Sequence, residues 1–270
     1  MRVADKVLVI TGGGNGIGRE LALQALARGA RVAAVDLREE SLDALASAAG
    51  AGERLSVHVA DVTSRERVAA LPEEVAARHG AVDGIINNAG IIQPFVRLAE
   101  LDLDVIDRVI DVNLRGTLNM VKAFLPALLA RPQAHITNLS SMGGFLPVPG
   151  QLVYCASKAA VKLMTEGLHA ELADTRVGVT VVMPGAVNTG IAENSGVAIP
   201  GAEGVGDSMM AAPAAVARAI LDGMERGRLY VLPGRDSRFL SVAMRVAPRW
   251  TMRLVERQMK GLLDGPSSAG

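Results

Sequence analysis

The stretch Val7-Leu8-Val9-Ile10-Thr11-Gly12-Gly13-Gly14-Asn15-Gly16-Ile17-Gly18 runs an apolar segment straight into a glycine cluster. Four consecutive Val, Leu and Ile side chains read as a buried strand, and a helical pattern starts at Gly16. Between them the glycines let the backbone turn sharply and approach a ligand closely. The helix N-terminus then offers unpaired N–H groups and the positive end of its dipole, which together suit a phosphate. Glycines alone would fit any strand-to-helix turn. Asp36 supplies the second half: it closes another apolar run, Arg31–Asp36, 18 residues past Gly18, where a carboxylate can hold ribose hydroxyls. Strand, turn, helix and acid together predict a dinucleotide site. A carboxylate at that point repels a 2′-phosphate, which favours NAD over NADP. Arg38 could blunt that preference, and Asn15 brings no positive charge to a phosphate.

Outward from this unit the same alternation continues. Lys6–Thr11, Arg31–Asp36, Arg54–Val59, Val82–Asn87, His135–Ser140, Val177–Met183 and Leu229–Leu232 read as strands. Between them lie helical patterns at Gly16–Arg28, Glu39–Ala49, Arg65–His79, Asp102–Ala130 (one long helix), Gln151–Ala173 and Pro213–Arg226. Near-continuous Val/Ile/Leu strands alternating with helices predict a doubly wound α/β Rossmann fold, a parallel sheet of about seven strands flanked by helices. One domain is expected over residues 1–234, followed by a C-terminal helical extension at 235–270. Gly190–Ala212, with its glycines and Pro200, reads as a mobile loop in which Met209-Met210 stand out.

Composition narrows the function classes. The chain has 270 residues, 28 Lys+Arg and 28 Asp+Glu, so its formal net charge is zero. That argues against a wholly basic nucleic-acid binder. The single Cys155 excludes an internal disulfide framework, and with no targeting pattern at the N-terminus a cytoplasmic location is expected. His58, His79, His135 and His169 are scattered singly, and no metal site is expected.

Tyr154-Cys155-Ala156-Ser157-Lys158 opens a helix, and at i and i+4 Tyr154 and Lys158 share one face. A phenol titrating near ~10 is a poor base at neutral pH. An ammonium one turn away, with the positive ring of an oxidised nicotinamide, would stabilise the phenolate and lower that value. Alone, such a pair reads as a solvated helix face. Here it follows a strand end carrying Ser140-Ser141 in a chain that already holds a dinucleotide cradle. Cys155 beside it reads as a packed helix residue, since no His is spaced to activate it.

With these motifs in order, the sequence resembles the short-chain dehydrogenase/reductase family over about residues 5 to 234. The carriers are Thr11-Gly-x-x-x-Gly16-x-Gly18, Asn87-Asn88-Ala89-Gly90, and Asn113 within Asp111-Val112-Asn113. Ser141, Tyr154-x-x-x-Lys158 and Pro184-Gly185 with Thr189 complete the set. The resemblance implies reversible hydride transfer between a secondary alcohol or ketone and a nicotinamide dinucleotide. It implies Tyr154 as general base in oxidation and general acid in reduction. Ser141 would hydrogen-bond the substrate oxygen. Lys158 would hold the nicotinamide ribose and depress the Tyr154 pKa, and Asn113 would place a proton-relaying water. Around the cofactor it implies Thr11, Gly12, Asn15, Gly16, Ile17, Gly18, Asp36 and Arg38 at the phosphates and ribose. Asp61 and Val62 would sit at the adenine, and Asn88, Ala89 and Gly90 along the middle. Pro184, Gly185, Val187 and Thr189 would close over the nicotinamide.

For the substrate, Ser141 and Tyr154 are joined by Gln93, Phe145 and Gln151 as expected contacts. The segments Ile91–Phe95 and Met142–Gln151 carry no charged side chain, which suits a lipophilic alcohol or ketone better than a polyol. A 3-oxoacyl-acyl-carrier-protein reductase using NADPH is the nearest enzymatic alternative, disfavoured by Asp36 and Asn15. A non-catalytic nucleotide sensor is disfavoured by the intact Asn113, Ser141, Tyr154 and Lys158.

Residues 235–270 carry a net charge of +4, leaving −4 on residues 1–234. Pro248 divides the tail into two amphipathic patterns. In the first, Ser237, Arg238, Ser241 and Arg245 oppose Phe239, Leu240, Ala243 and Val246. In the second, Arg249, Arg253, Arg257 and Lys260 oppose Leu254, Val255, Met259 and Leu262. Packing over the pocket or against another subunit of a dimer or tetramer is expected ahead of peripheral contact with an anionic membrane.

Overall fold

In the computed structural model residues 1–197 and 210–263 are described. The chain runs through β1 (Val7–Thr11), α1 (Gly16–Ala27), β2 (Arg31–Asp36), α2 (Glu39–Ala49), β3 (Leu55–Val59), α3 (Arg65–His79) and β4 (Gly84–Asn87). Then come α4 (Leu103–Ile110), α5 (Thr117–Leu129), β5 (Ala134–Leu139), α6 (Leu152–Glu171) and β6 (Val177–Val182). The last elements are α7 (Ile191–Ser195), α8 (Pro213–Glu225), β7 (Tyr230–Val231), α9 (Arg235–Val246) and α10 (Pro248–Leu263). The strands form one seven-stranded parallel sheet in the order β3-β2-β1-β4-β5-β6-β7. This is the doubly wound Rossmann fold, with a helical extension at its C-terminal end.

Alternation along each strand divides the core in two. Leu8, Ile10, Val32 and Ala34 pack under α1, α2 and α8. Val7, Val9, Ala33 and Val35 pack under α3, α5 and α6. Because both faces are covered, β1, β4 and β5 are buried along their whole length, and β1 accordingly reads as an apolar run from Val7 to Ile10. β4 starts two residues later than Val82. Asp83 ends the connection instead, its buried carboxylate accepting the Val7 N–H at 3.0 Å and an Arg131 N–H at 2.9 Å.

Three expectations need correcting. The single helix expected over Asp102–Ala130 is interrupted by a π-helical turn at Asp111–Gly116, between α4 and α5. A Cβ on Gly116 would lie 2.6 Å from Val62 Cγ2, so this turn packs where an ordinary side chain would not fit. The stretch read as a mobile loop is structured at both ends, by α7 and by a bridge between Val187 and Ala211. Its segment 198–209, Met209 included, lies outside the described residues, as does 264–270.

The tail forms the two expected helices, but α9 is rotated about its axis from the expected orientation, with Arg238 and Arg245 still exposed. Ser237, assigned to the polar face, is fully buried, while Phe239 is 60% and Val246 79% exposed. Anchoring decides this. The Ser237 hydroxyl donates to the Met183 carbonyl at 2.7 Å, and the Asp236 carboxylate accepts the Ala186 N–H at 3.4 Å.

Candidate active site

β1 lies between β2 and β4, so the connections leaving β1 and β4 part to opposite faces of the sheet. A crevice opens at their carboxyl ends, the usual place for a ligand in such sheets. The cleft there holds about 570 Å³, within the range of cofactor pockets. Its wall includes Gly12, Asn15, Gly16, Ile17, Asp36, Arg38, Asp61, Val62, Asn88, Ala89, Gly90, Tyr154, Lys158, Pro184 and Thr189. Of the expected dinucleotide residues, Thr11, Gly18, Gly185 and Val187 do not line it.

The cradle is fastened from behind. Thr11 Oγ1 accepts the N–H groups of Asn88 and Ala89, each at 3.0 Å. The Asn88 amide donates in return to the carbonyls of Thr11 at 2.9 Å and Gly12 at 3.2 Å. Gly12 adopts φ +63°, and a Cβ on Gly18 would lie 1.9 Å from the Gly12 oxygen, so neither position admits a side chain. Asn15 makes no cap bond to α1 and donates instead to Ser41 at 3.1 Å. The first-turn N–H groups of α1 are thus left uncapped beside the cleft. Those donors and the bare glycine turn fit a pyrophosphate.

At the cleft's far end, Asp36 is buried. One oxygen accepts the Gly14 N–H at 2.9 Å and the other the Arg38 N–H at 3.1 Å. Asp61 is exposed and turns one oxygen onto the Thr63 N–H and hydroxyl, both at 2.8 Å. Asp104, Asp107, Arg108 and Asp111 also line the cleft. Sequence reading missed Asp104, Asp107 and Arg108 because α4 reaches the site only through tertiary packing and no motif marks it, and it quoted Asp111 only as the neighbour of Asn113.

The chemical end lies between β5 and α6. Tyr154 and Ser141 flank Gly143: a Cβ there would lie 3.5 Å from the Tyr154 ring and 3.6 Å from Ser141 Oγ, which accepts the Gly143 N–H at 3.1 Å. Lys158 Nζ stands 5.9 Å from the Tyr154 ring centre and donates to the Leu139 carbonyl at 3.1 Å. Burial pushes the Tyr154 phenol up to about 12, against the neighbouring Ser141 hydroxyl, which acts to lower it. Burial also brings the Lys158 ammonium down to about 8. In the protein alone, therefore, the phenol is raised rather than lowered as expected, because loss of water outweighs its partners. Ser140 is Ser141's structural neighbour, donating to the Lys158 carbonyl at 2.7 Å. Cys155 is a buried free thiol, and burial raises its pKa.

Gln93 and Gln151, expected at the substrate, face inward. Gln93 Oε1 accepts the N–H groups of Val153 at 2.8 Å and Tyr154 at 3.0 Å, and so caps α6 at the turn that carries Tyr154. Its amide donates to the Gly150 carbonyl at 3.1 Å, and Gln151 donates to the Gln93 carbonyl at 2.7 Å. Both side chains are buried. Asn113, in the π turn, is likewise spent on position. It accepts the Ile91 N–H at 2.8 Å and donates to the Ile91 carbonyl and the Ser157 hydroxyl, both at 3.0 Å. Ser157 in turn donates to the Tyr154 carbonyl at 2.7 Å. The segment Ile91–Gln93 thereby grips the first turn of α6 by two routes, with Ser157 a member that sequence reading passed over. Phe145 is half-buried and does not line the cleft.

This geometry agrees with what the chain is similar to. Residues 6–198 match the family model described as short chain dehydrogenase. The protein SadH of Mycobacterium tuberculosis is 36% identical over 263 residues, spanning 93% of this chain and 94% of that one. A short-chain dehydrogenase/reductase from Burkholderia phymatum, solved in complex with NAD, superposes with a TM-score of 0.82. It is 27% identical, over 91% of this chain and 96% of that one. A short chain dehydrogenase from Burkholderia cenocepacia, solved in complex with NADP, gives a TM-score of 0.79. It is 30% identical, over 94% of this chain and 99% of that one. The chain belongs to the short-chain dehydrogenase/reductase family and is an NAD(P)-dependent oxidoreductase.

Proposed function

We propose that the protein interconverts a lipophilic secondary alcohol and its ketone, with NAD(H) as the preferred dinucleotide and Tyr154 as the acid–base group. The observation that carries this reading is the convergence of Ser141 and Tyr154 beside Gly143, with Lys158 Nζ 5.9 Å from the Tyr154 ring centre and both Tyr154 and Lys158 on the cleft wall. The dinucleotide, when bound, supplies the hydride acceptor or donor. The chain's own residues handle the oxygen and the proton. Ser141 holds the substrate oxygen and steadies its developing charge. Tyr154 takes the hydroxyl proton in oxidation and returns one in reduction. Lys158, the nearest cation, favours the phenolate once the site is charged.

Two observations support the finer choices. Asp36 stays at the ribose end with both oxygens fixed by backbone N–H groups, so its charge is held where a 2′-phosphate would sit. The inward turn of Gln93 and Gln151 removes two polar groups from the substrate side, where Ile91 and Ile191 stand at the cleft beside Thr189 and Asn194. Reduction assays with NADH and NADPH across ketones of graded polarity test both. Higher kcat/KM with NADH and with lipid-like ketones is expected. Asp36→Ala should move the preference towards NADPH, and an unchanged ratio would remove Asp36 from that role. Tyr154→Phe should lower kcat by about 100-fold or more while NADH binding, read by fluorescence, is nearly retained. Turnover surviving in that variant would sink the acid–base assignment.

A further inference from the structure

The seven aromatic residues of this chain include a single Trp and four Phe, a small supply for 270 residues. The Trp and one Phe are spent on the tail, facing outward. Trp250 is 55% exposed on α10 and Phe239 60% on α9, while Ser237, Thr251 and Val255 are buried. Along α9, Phe239, Val242 and Val246 form an exposed apolar stripe, and Trp250 follows across the one-residue turn at Ala247. Arginines border it. Arg235, Arg249, Arg253 and Arg257 are exposed and enter no ion pair among the described residues. Arg238 donates to the Leu232 carbonyl at 3.1 Å, and Arg245 lies near Glu166.

We propose that the outward face of α9 and α10 lies on an anionic lipid surface, with the apolar stripe in the headgroup–acyl boundary and the arginines on the lipid phosphates. Charge complementarity selects this occupant. A second copy docking through the same patch would set like-charged arginines against one another across its two-fold axis. A nucleic acid would satisfy the arginines but leave Val242 and Val246 in water. An anionic bilayer takes both kinds of group at once. No described helix is long and apolar enough to cross a membrane, so the contact is one of lying on the surface. The inference stands on the tail alone and does not depend on the proposed substrate.

Trp250, being the sole Trp, reports directly. Purified full-length protein is titrated with vesicles of phosphatidylcholine alone, or of phosphatidylcholine and phosphatidylglycerol at roughly 7:3, followed by Trp emission and by co-flotation. A blue shift and flotation are expected with the anionic vesicles only, weakened about tenfold by raising salt to about 0.5 M. Phe239→Ser should weaken binding by about tenfold, and Arg249→Gln with Arg253→Gln by at least as much. Both variants should keep the wild-type melting temperature and turnover in solution, since these side chains are exposed. Equal binding to neutral vesicles, or no binding at all, overturns the proposal. So does a concentration-dependent dimer that Phe239→Ser abolishes, which would give the face to a second copy. The lipid-charge and salt comparisons use unaltered protein, so they decide even where a variant fails to fold.

Discussion

Gln93 illustrates what a single residue does here that its place in the chain conceals. Its position after Asn87-Asn88-Ala89-Gly90 locates it in a loop at the mouth of the site, and the expectation of a substrate contact followed from that. Which way the amide points is set by α6, whose first-turn N–H groups need an acceptor inside the protein. Gln93 Oε1 meets two of them, at Val153 and Tyr154. Gln93→Leu leaves those donors buried without a partner, a loss of roughly 2 kcal/mol. The freed turn carries Tyr154, so kcat should fall by about tenfold while NADH affinity changes by less than about twofold. Melting curves, steady-state kinetics and NADH titration check the three parts. Unchanged kcat in a destabilised variant would reduce Gln93 to a packing residue. Tyr154 and Lys158, by contrast, were legible as neighbours, because residues at i and i+4 of a helix share one face, and Lys158 Nζ stands 5.9 Å from the Tyr154 ring centre.

At the scale of elements, strands were the most legible feature, since burial on both faces leaves an unbroken apolar run in the sequence. The π turn at Asp111–Gly116 was not, because it changes the hydrogen-bond ladder without changing the apolar pattern that marks a helix. Polar residues inside strands are the other departure, and His135 in β5 is the most consequential. It is buried, with Nε2 2.8 Å from Thr180 Oγ1 on the neighbouring β6. Thr180 donates onward to the Arg228 carbonyl at 2.7 Å, so it is the imidazole that donates between the strands. Burial lowers the His135 pKa to about 3. The ring is therefore neutral in the folded protein, whereas in the unfolded chain it protonates near ~6.5. Above that pH it contributes no pH dependence. As pH falls from about 6.5 towards 3, the unfolded state gains the proton first and stability is lost. Between about pH 6.5 and 4.5 the loss is roughly 2 kcal/mol. His79 is lowered by burial as well, so the His135 share needs a variant. Urea unfolding of His135→Leu should show a shallower pH slope over that window, whatever its absolute stability. An identical slope would show that His135 does not carry the acid sensitivity.

Across the whole molecule, the zero net charge conceals an acidic body and a basic tail. The sequence marked the tail's helices and their break at Pro248, but not its orientation. Hydrophobic pattern alone would have sent Phe239 and Val246 inward, yet both are exposed. Hydrogen bonds to one strand end decided it, and these join residues fifty or more positions apart. The consequence is that the tail is tied to the site. Ser237 holds the Met183 carbonyl and Asp236 the Ala186 N–H, on either side of Pro184-Gly185. The Pro184 carbonyl accepts the Met142 N–H at 2.8 Å, one residue from Ser141. A displacement of α9 would therefore be felt at the cleft wall and at Ser141. Asp236→Ala with Ser237→Ala cuts both ties while leaving every residue that lines the cleft in place. The buried hydroxyl's loss costs about 1 kcal/mol, and kcat/KM should fall several-fold, with lipid binding through Phe239 and Trp250 preserved. If stability drops while kcat/KM holds, α9 is packed against the site without governing it. If both fall together, the extension outside the matched family segment is part of what shapes the active site.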